Sequence, residues 1–242
     1  MNLWDKIYWW NFNNASDDIL QLYREKWYWI INFLYFATIV RTKLTEEEKD
    51  ENLKIYERAM NECDFLLPDG IALYIVMKYK YKKIVTNLNW TDFLPFFIDQ
   101  IKPENINLIC YGTFPQDIPK AVENLKKKIT WIEISHYQDG YKELERDKIN
   151  TNPEKINILL IWRWSPRQEI WAYQNIDKLK KYWLLAFNVW GRFDFRAGVE
   201  VRAPKIIRAL KWEWVWRLVT NPKKNFKKFL QSFIFLKFLL KK

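Results

Sequence analysis

Short apolar runs alternate with segments of helical periodicity along most of the chain, and this alternation constrains the fold more than any other feature. The runs predicted to be strands are 65–67, 106–111, 131–135, 156–162 and 183–189. Helices are predicted over 16–31, 45–63, 71–78, 115–128 and 166–180. This order indicates an α/β fold with a mainly parallel sheet and flanking helices. Ligands of such sheets bind where strands end, so chemistry is expected at 68–70, 87–92, 111–116, 162–169 and 190–194.

Several classes of protein are excluded by what the chain lacks. It contains no uninterrupted run of 18 apolar residues, so no membrane-spanning helix is predicted. Its first residues lack the basic start and apolar core of a signal peptide. Cys63, Cys110 and the single His136 leave no set of zinc ligands, and no metal or cofactor is predicted. We expect both cysteines to be reduced core residues of a cytosolic protein.

The positive charge is concentrated at the C-terminal end of the chain. Residues 202–242 contain twelve Lys and Arg residues and one acid, Glu213, whereas residues 1–201 are neutral overall. Within this end, apolar residues recur at helical spacing over 226–234, with lysines between them. We therefore divide the chain into a core, 1–203, and a basic amphipathic helical appendage, 204–242.

Three interpretations of the appendage remain open on this pattern. A basic amphipathic helix with an apolar end is typical of an element that binds an anionic membrane surface. The same pattern fits a terminal helix that packs its phenylalanines on the core and leaves its lysines in solvent. Binding of nucleic acid is the third interpretation, since it too uses clustered positive charge.

Three polar motifs follow predicted strands, and each has an ordinary structural explanation beside a functional one. Asp69 could act as a general base or could belong to a common Asp-Gly turn. Residues 166–169 open a helix, where they could bind phosphate or simply cap the helix. Asp194 could hold a sugar or ribose hydroxyl. The sequence contains neither a Ser-His-Asp set nor a phosphate-binding glycine motif of the usual kinds.

Taken in order, however, the motifs form a specific series. They are PDGI at 68–71, NWTDF at 89–93, DGY at 139–141, WRWSPRQEIW at 162–171, VWGRFDFRAG at 189–198, RAPK at 202–205 and EWVWRL at 213–218. This series resembles the WecG/TagA/CpsF glycosyltransferase family, glycosyltransferase family 26, over residues 30 to 228. The resemblance implies a Rossmann-like α/β core.

The resemblance also implies an activity. It is that of a metal-independent, inverting hexosyltransferase that moves N-acetylmannosamine or its uronic acid from a UDP-sugar to a polyprenyl-diphosphate-linked acceptor in cell-surface polysaccharide synthesis. The enzyme would be cytoplasmic and peripheral on the inner face of the cell membrane, with no nucleic-acid partner. Monomer and homo-oligomer remain open. The alternative is a degenerate, non-catalytic basic protein that binds membrane or nucleic acid.

The resemblance assigns roles to individual residues. Asp69 is the catalytic base, and Thr38 lines the catalytic pocket. The substrate-binding residues are Asp92, Gln168, Glu169, Asp194, Arg217, Lys224 and Lys227. Lysine stands at 224 and 227 where the family has arginine, which keeps the charge but loses the bidentate geometry. Asn87 stands where the family has an arginine, which puts that contact in doubt.

Four positions that are glycine in the family are tryptophan in this chain: Trp90, Trp162, Trp164 and Trp190. The whole chain has only 5 glycines but 15 tryptophans. Because glycine is replaced by tryptophan at all four positions, we hypothesise a single cause. The gene would encode glycine there with UGA codons, and these codons would have been translated as tryptophan in this sequence. The competing interpretation is a pseudoenzyme that has lost its nucleotide site. Trp171 and Trp214 match family tryptophans, while Trp131, Trp183 and Trp212 are undecided.

Overall fold

The structure is a computed structural model that describes residues 3–42, 50–101, 106–145 and 149–189. It also describes 204, 207, 213–220, 222 and 239. Its centre is a six-stranded sheet in the order β2-β1-β6-β5-β3-β4, and every strand pair is parallel. The strands are β1 (Trp29–Tyr35), β2 (Phe65–Asp69), β3 (Ile106–Gly112), β4 (Glu133–Gln138), β5 (Ile156–Trp162) and β6 (Leu184–Asn188). The predicted α/β class is confirmed, and the sheet is of the Rossmann-like type.

Helices cover both faces of the sheet, which explains why the inner strands are nearly continuous apolar runs. The helices are α1 (Leu3–Lys6), α2 (Phe12–Lys26), α3 (Phe36–Arg41), α4 (Glu51–Glu62), α5 (Ile71–Tyr79), α6 (Trp90–Gln100), α7 (Ile118–Lys128), α8 (Arg167–Gln174), α9 (Ile176–Lys181) and α10 (Glu213–Thr220). The first layer of the core packs α2, α6 and α7 against one face. The second layer packs α1, α3, α4, α5, α8 and α9 against the other.

The predicted helix over 16–31 is wrong at its C-terminal end. Helix α2 ends at Lys26, and β1 begins three residues later as a run rich in aromatic and β-branched residues that is buried up to Leu34. Such residues favour strands, and burial on both faces removed the alternation that would have marked one. The predicted strand at 65–67 and helix at 71–78 are confirmed as β2 and α5.

Two further predictions need correction, and one helix had no counterpart among the predictions. The helix predicted over 166–180 is two helices, α8 and α9, which meet at Asn175. The helix predicted from 45 begins at Glu51, where the Asp50 side chain accepts a hydrogen bond from the Leu53 N–H, and 43–49 lie outside the described residues. Helix α6 was not predicted, because Asn89 caps it directly after an irregular polar segment.

Both cysteines are buried and free, as predicted. Cys63 follows the end of α4, and Cys110 lies within β3. Burial raises the pKa of the Cys63 thiol to about 12 and raises that of Cys110 as well, because a thiolate is poorly solvated inside the core. The two thiols are therefore inert at neutral pH, which fits a purely structural role.

Asp64 couples the stability of the fold to pH. It precedes β2, and its Oδ2 accepts a hydrogen bond of 2.8 Å from the Ile30 N–H. Desolvation raises its pKa to about 6, although Lys6 and Lys26 oppose the change. The folded state therefore holds a proton between about pH 4 and pH 6 that the unfolded chain releases.

The free energy of unfolding should accordingly fall as pH rises from about 4 to 6. We expect Asp64 to contribute about 1–2 kcal/mol to this fall, allowing for its partial exposure. Asp64→Asn keeps an acceptor oxygen for the Ile30 N–H. In urea unfolding measured at several pH values from about 4 to 6, this variant should lack the part of the pH dependence that Asp64 causes. The control is Asp177→Asn, at an exposed position. An unchanged slope in Asp64→Asn would contradict this assignment.

Candidate functional site

The parallel sheet brings the ends of all six strands to one edge, which is where ligands of such sheets bind. The loops after β2, β3, β4 and β5 therefore lie along a common border, and the predicted segments 68–70, 111–116 and 162–169 lie where β2, β3 and β5 end. The predicted segment 87–92 does not follow a strand. It runs beside the end of β2 instead, and the Leu88 N–H donates a hydrogen bond of 2.8 Å to the Pro68 carbonyl oxygen. Its position at this edge is thus held by backbone contact.

Asp69 is the last residue of β2 and lies opposite Tyr35 in the register with β1. It is half-buried, so its carboxylate can meet a ligand without being fully desolvated. The chain turns at Gly70, whose φ of +94° favours glycine, and a Cβ there would lie 3.0 Å from the Tyr35 ring. The Gly70 N–H donates a hydrogen bond of 2.7 Å to Asn87 Oδ1. The turn that follows Asp69 is therefore held by the Tyr35 ring on one side and by the Asn87 side chain on the other.

Asn87 is the residue whose role sequence reasoning missed. It stood out only as a departure from an expected arginine, whereas the structure shows its side chain holding the Gly70 peptide. An Asn side chain can stand in for a backbone carbonyl in this way. The available signal was an Asn-rich segment without apolar periodicity, which is typical of side chains that bond to neighbouring backbone.

Asp92 lies in the first turn of α6 and takes part in its cap. The Asn89 side chain accepts from the Asp92 N–H at 3.1 Å and donates to Asp92 Oδ2 at 3.0 Å. The Asn89 side chain thereby satisfies one N-terminal N–H group of the helix, that of Asp92, as an N-cap residue does. The helix start faces the same sheet edge as Asp69. The predicted substrate contact of Asp92 remains a prediction.

Gln168 and Glu169 are fully buried at the start of α8. Gln168 Nε2 donates a hydrogen bond of 3.0 Å to Glu169 Oε1. Helix α8 packs against α4, β1 and β6, so it lies over the middle of the sheet between Asp69 and the end of β5. Among the described residues, Gln168 Oε1 has no hydrogen-bond partner. A buried acceptor of this kind is a candidate contact for a ligand hydroxyl or N–H group.

Thr38 is buried within α3, directly after β1. Its carbonyl oxygen accepts hydrogen bonds from the Thr42 N–H at 2.9 Å and from Thr42 Oγ1 at 2.7 Å. Because β1 is the neighbour of β2, α3 starts at the same edge as the Asp69 turn. The structure thus places Thr38 near that end of the sheet, and its role in a pocket remains a prediction.

The connections that follow β3 and β5 lie on opposite faces of the sheet. Helix α7, after β3, packs in the first layer of the core, whereas α8, after β5, packs in the second. Their strands pair side by side, with Gly112 opposite Trp162 at the end of the pairing. At such a topological switch point, a crevice for ligands is expected beyond the ends of the strands.

The backbones at this switch point are in close contact. Gly112 has φ +136°, and a Cβ there would lie 2.3 Å from the Trp162 carbonyl oxygen. That oxygen accepts from the Thr113 N–H at 2.8 Å, and the Gly140 N–H donates to the Thr113 carbonyl oxygen at 3.1 Å. The loops after β3, β4 and β5 are thereby tied into one rigid rim.

Three of the four motif tryptophans lie at the same edge. Trp90 begins α6 and Trp162 ends β5, and both indoles are buried in the first layer of the core. Trp164 lies in the following turn with 55% of its surface exposed. None of the three has a positive φ, so backbone conformation does not demand glycine there. Glycine at such positions can also allow a ligand or another backbone segment to approach closely.

The other predicted site residues lie in the C-terminal part of the chain. Trp190, Asp194, Lys224 and Lys227 fall outside the described residues, and Arg217 belongs to α10. In the part of the chain that the structure describes, no helix is both long enough and apolar enough to cross a membrane. Within the same ranges, no group of three or more His, Cys, Asp and Glu side chains is placed to hold a metal ion.

Comparison with known proteins identifies similar sequences. The model of the "Glycosyl transferase WecG/TagA/CpsF family" matches residues 20–242. Two relatives share the name N-acetylglucosaminyldiphosphoundecaprenol N-acetyl-beta-D-mannosaminyltransferase. The protein from Bacillus spizizenii (strain ATCC 23059 / NRRL B-14472 / W23) is 29% identical and that from Bacillus subtilis (strain 168) is 23% identical, each over 171 residues. Each match covers 69% of this chain and 65% of the relative, slightly less than two thirds of its length.

Proposed function

The chain belongs to the WecG/TagA/CpsF glycosyltransferase family, and from this premise we propose that it is an inverting transferase acting on a lipid-linked acceptor. The donor is a UDP-sugar carrying N-acetylmannosamine or its uronic acid, and the acceptor is a sugar on polyprenyl diphosphate. The names of the two Bacillus relatives support this choice of sugar and acceptor. The product serves cell-surface polysaccharide synthesis.

The observation that carries the proposal is the shared sheet edge of the Asp69 turn and the β3–β5 switch point. Three strand spacings separate β2 from β5, which amounts to about 14 Å. A nucleotide sugar is an extended ligand whose base, ribose, diphosphate and sugar follow one another. Bound along this edge, it would place its nucleotide at the crevice and its sugar towards Asp69.

The proposed chemistry is a single displacement. Asp69 takes the proton of the acceptor hydroxyl as its oxygen attacks C1 of the donor sugar. The bond between C1 and the diphosphate oxygen breaks, its electron pair leaves with UDP, and the configuration at C1 inverts. Backbone N–H groups at the starts of α6 and α8 can stabilise the developing charge on the diphosphate, together with Arg217, Lys224 and Lys227.

The basic appendage, 204–242, is proposed to hold the enzyme at the cytoplasmic face of the membrane. Its clustered lysines suit an anionic lipid surface, and the acceptor's polyprenyl chain lies in that membrane. Removal of 205–242 should abolish binding to vesicles that contain anionic lipid while the core still unfolds cooperatively. Undiminished binding of the truncated chain would assign the membrane contact to the core.

The experiment that tests the function is acceptor-dependent release of UDP. A panel of UDP-sugars, together with a short polyprenyl-diphosphate acceptor bearing N-acetylglucosamine, is supplied to the chain with glycine at positions 90, 162, 164 and 190, and UDP is measured over time. We expect release to require both the acceptor and an N-acetylmannosamine-type donor. A non-catalytic basic protein is the second candidate, favoured by the tryptophans at the motif positions, and it releases no UDP with any donor.

Asn87 is expected to act as a positioning residue for Asp69 through its bond to Gly70. Asn87→Ala should lower kcat about 10-fold with little change in the KM for donor, because a base displaced by a fraction of an ångström transfers protons poorly. The Leu88–Pro68 backbone bond survives this change, so the turn stays in place. Asn87→Asp keeps an acceptor oxygen and should recover part of the loss.

A double-variant cycle separates this role from a general structural one. In the Asp69→Asn background, Asn87→Ala should cost little further activity, since there is no base left to position. A tenfold loss in both backgrounds would mean that Asn87 acts elsewhere.

A further inference from the structure

Two tryptophans outside the motifs have backbone conformations that suit glycine. Trp27 has φ +64° and Trp183 has φ +51°. Among the described residues, the other non-glycine positions with positive φ are Lys82 and Thr113. Two of these four strained positions are therefore tryptophan, which has a large side chain. A Cβ in the left-handed region lies too close to the neighbouring carbonyl oxygen, a penalty that glycine avoids.

Both tryptophans occupy the same structural position. Trp27 follows α2 and its N–H donates to the Tyr23 carbonyl oxygen at 2.7 Å, while the Trp183 N–H donates to the Lys180 carbonyl oxygen at 3.2 Å after α9. Each lies just before a strand, β1 or β6, and these two strands are neighbours. A left-handed residue between a helix and the following strand is the usual place for glycine.

The two indoles do little for packing. Trp27 is 48% exposed and Trp183 is 40% exposed, whereas Trp29 and Trp171, inside regular elements, are almost fully buried. The Trp27 indole makes an edge contact with the Tyr23 ring. The Tyr23 hydroxyl donates a hydrogen bond to the backbone carbonyl oxygen of Trp183, and so this bond does not involve the Trp183 indole. Neither position therefore depends on an indole side chain.

We infer that positions 27 and 183 are glycine in the natural protein, encoded by the same reassigned codon that we hypothesise at the four motif positions. The backbone geometry at 27 and 183 does not depend on the proposed activity, whereas the shared codon rests on the family resemblance at the four motif positions. The inference extends the hypothesis to Trp183, which the sequence left undecided, and to Trp27. It also explains why a chain with only 5 glycines ends two helices in left-handed turns.

The test is peptide mass spectrometry on the protein purified from the organism that carries the gene. Peptides that contain positions 27 and 183 should have the mass expected for glycine, and the codons at both positions should be UGA. The peptide that contains Trp171 is the internal control and should retain tryptophan. Tryptophan at 27 and 183 in the natural peptides would overturn the inference.

A second measurement tests the geometric basis on purified variants of the chain as written. At each position, Gly and Ala substitutions lose the same indole, so their difference reports only the cost of a Cβ. We expect Trp27→Gly and Trp183→Gly to melt about 2–4 °C above the corresponding alanine variants. At Trp29, within a strand, the order should reverse. Alanine variants at 27 and 183 as stable as the glycine variants would overturn the inference.

Discussion

Asp69→Asn, introduced into the chain with glycine at positions 90, 162, 164 and 190, is expected to lower the rate of sugar transfer by about 10²- to 10⁴-fold, the usual contribution of a general base. The amide has nearly the same shape as the carboxylate but cannot accept the proton of the attacking hydroxyl. Since Asp69 lies at the end of a paired strand, the variant should fold normally and still bind UDP. Initial rates with saturating donor and acceptor provide the measurement.

The matched control is Asp64→Asn, which replaces a carboxylate at the start of the same strand. Asp64 bonds to the Ile30 N–H at the opposite end of β2, away from the site edge. Its variant should keep the full rate of transfer. Full transfer by Asp69→Asn would remove Asp69 from the proposed role, whatever the control shows.

Restoring glycine at positions 90, 162, 164 and 190 is expected to raise the affinity for UDP about 10²-fold or more. In the proposed site the exposed Trp164 indole would keep a diphosphate from the backbone N–H groups after β5, and each charge-assisted hydrogen bond regained contributes about 1.5–3 kcal/mol. Titration calorimetry compares the chain as written with the fourfold variant. Equal affinity would contradict this account of the site and favour the pseudoenzyme.

Stability must be followed separately in this experiment, because Trp90 and Trp162 are packed in the core. Removing such indoles leaves cavities that cost about 3–5 kcal/mol each unless the site collapses. The single variant Trp164→Gly avoids this loss of stability, because the Trp164 side chain is largely exposed. We expect it to raise UDP affinity without lowering the melting temperature. Trp171→Gly, at a position that matches a family tryptophan, should lose stability and gain no affinity.

The fold class could be predicted from the chain because the apolar runs at β3, β5 and β6 are short, buried and separated by helices. Strand β1 was missed because it continues directly from a helical segment and is apolar on both faces. Its start depends on the left-handed residue at 27, and tryptophan there gives no sign of a helix end. A glycine in the sequence at that position would have marked it.

The site was predictable only in part, because some of its contacts join residues that are far apart in the chain. The position of Asp69 at a strand end followed from the local pattern. The bond between Asn87 and Gly70 joins residues 17 apart, and the contact of Gly112 with Trp162 joins strands that are not consecutive. Such contacts depend on the order of strands in the sheet, which local periodicity does not determine.

The most direct test of the proposed function is to characterise the lipid product formed by the chain with glycine at the four motif positions. The enzyme receives α-linked UDP-N-acetylmannosamine and a polyprenyl-diphosphate acceptor bearing N-acetylglucosamine, and the product is analysed by mass spectrometry and NMR. We predict the addition of one N-acetylhexosamine in β linkage, as an inverting displacement requires. An α-linked product, or an acceptor recovered unchanged, would contradict the account.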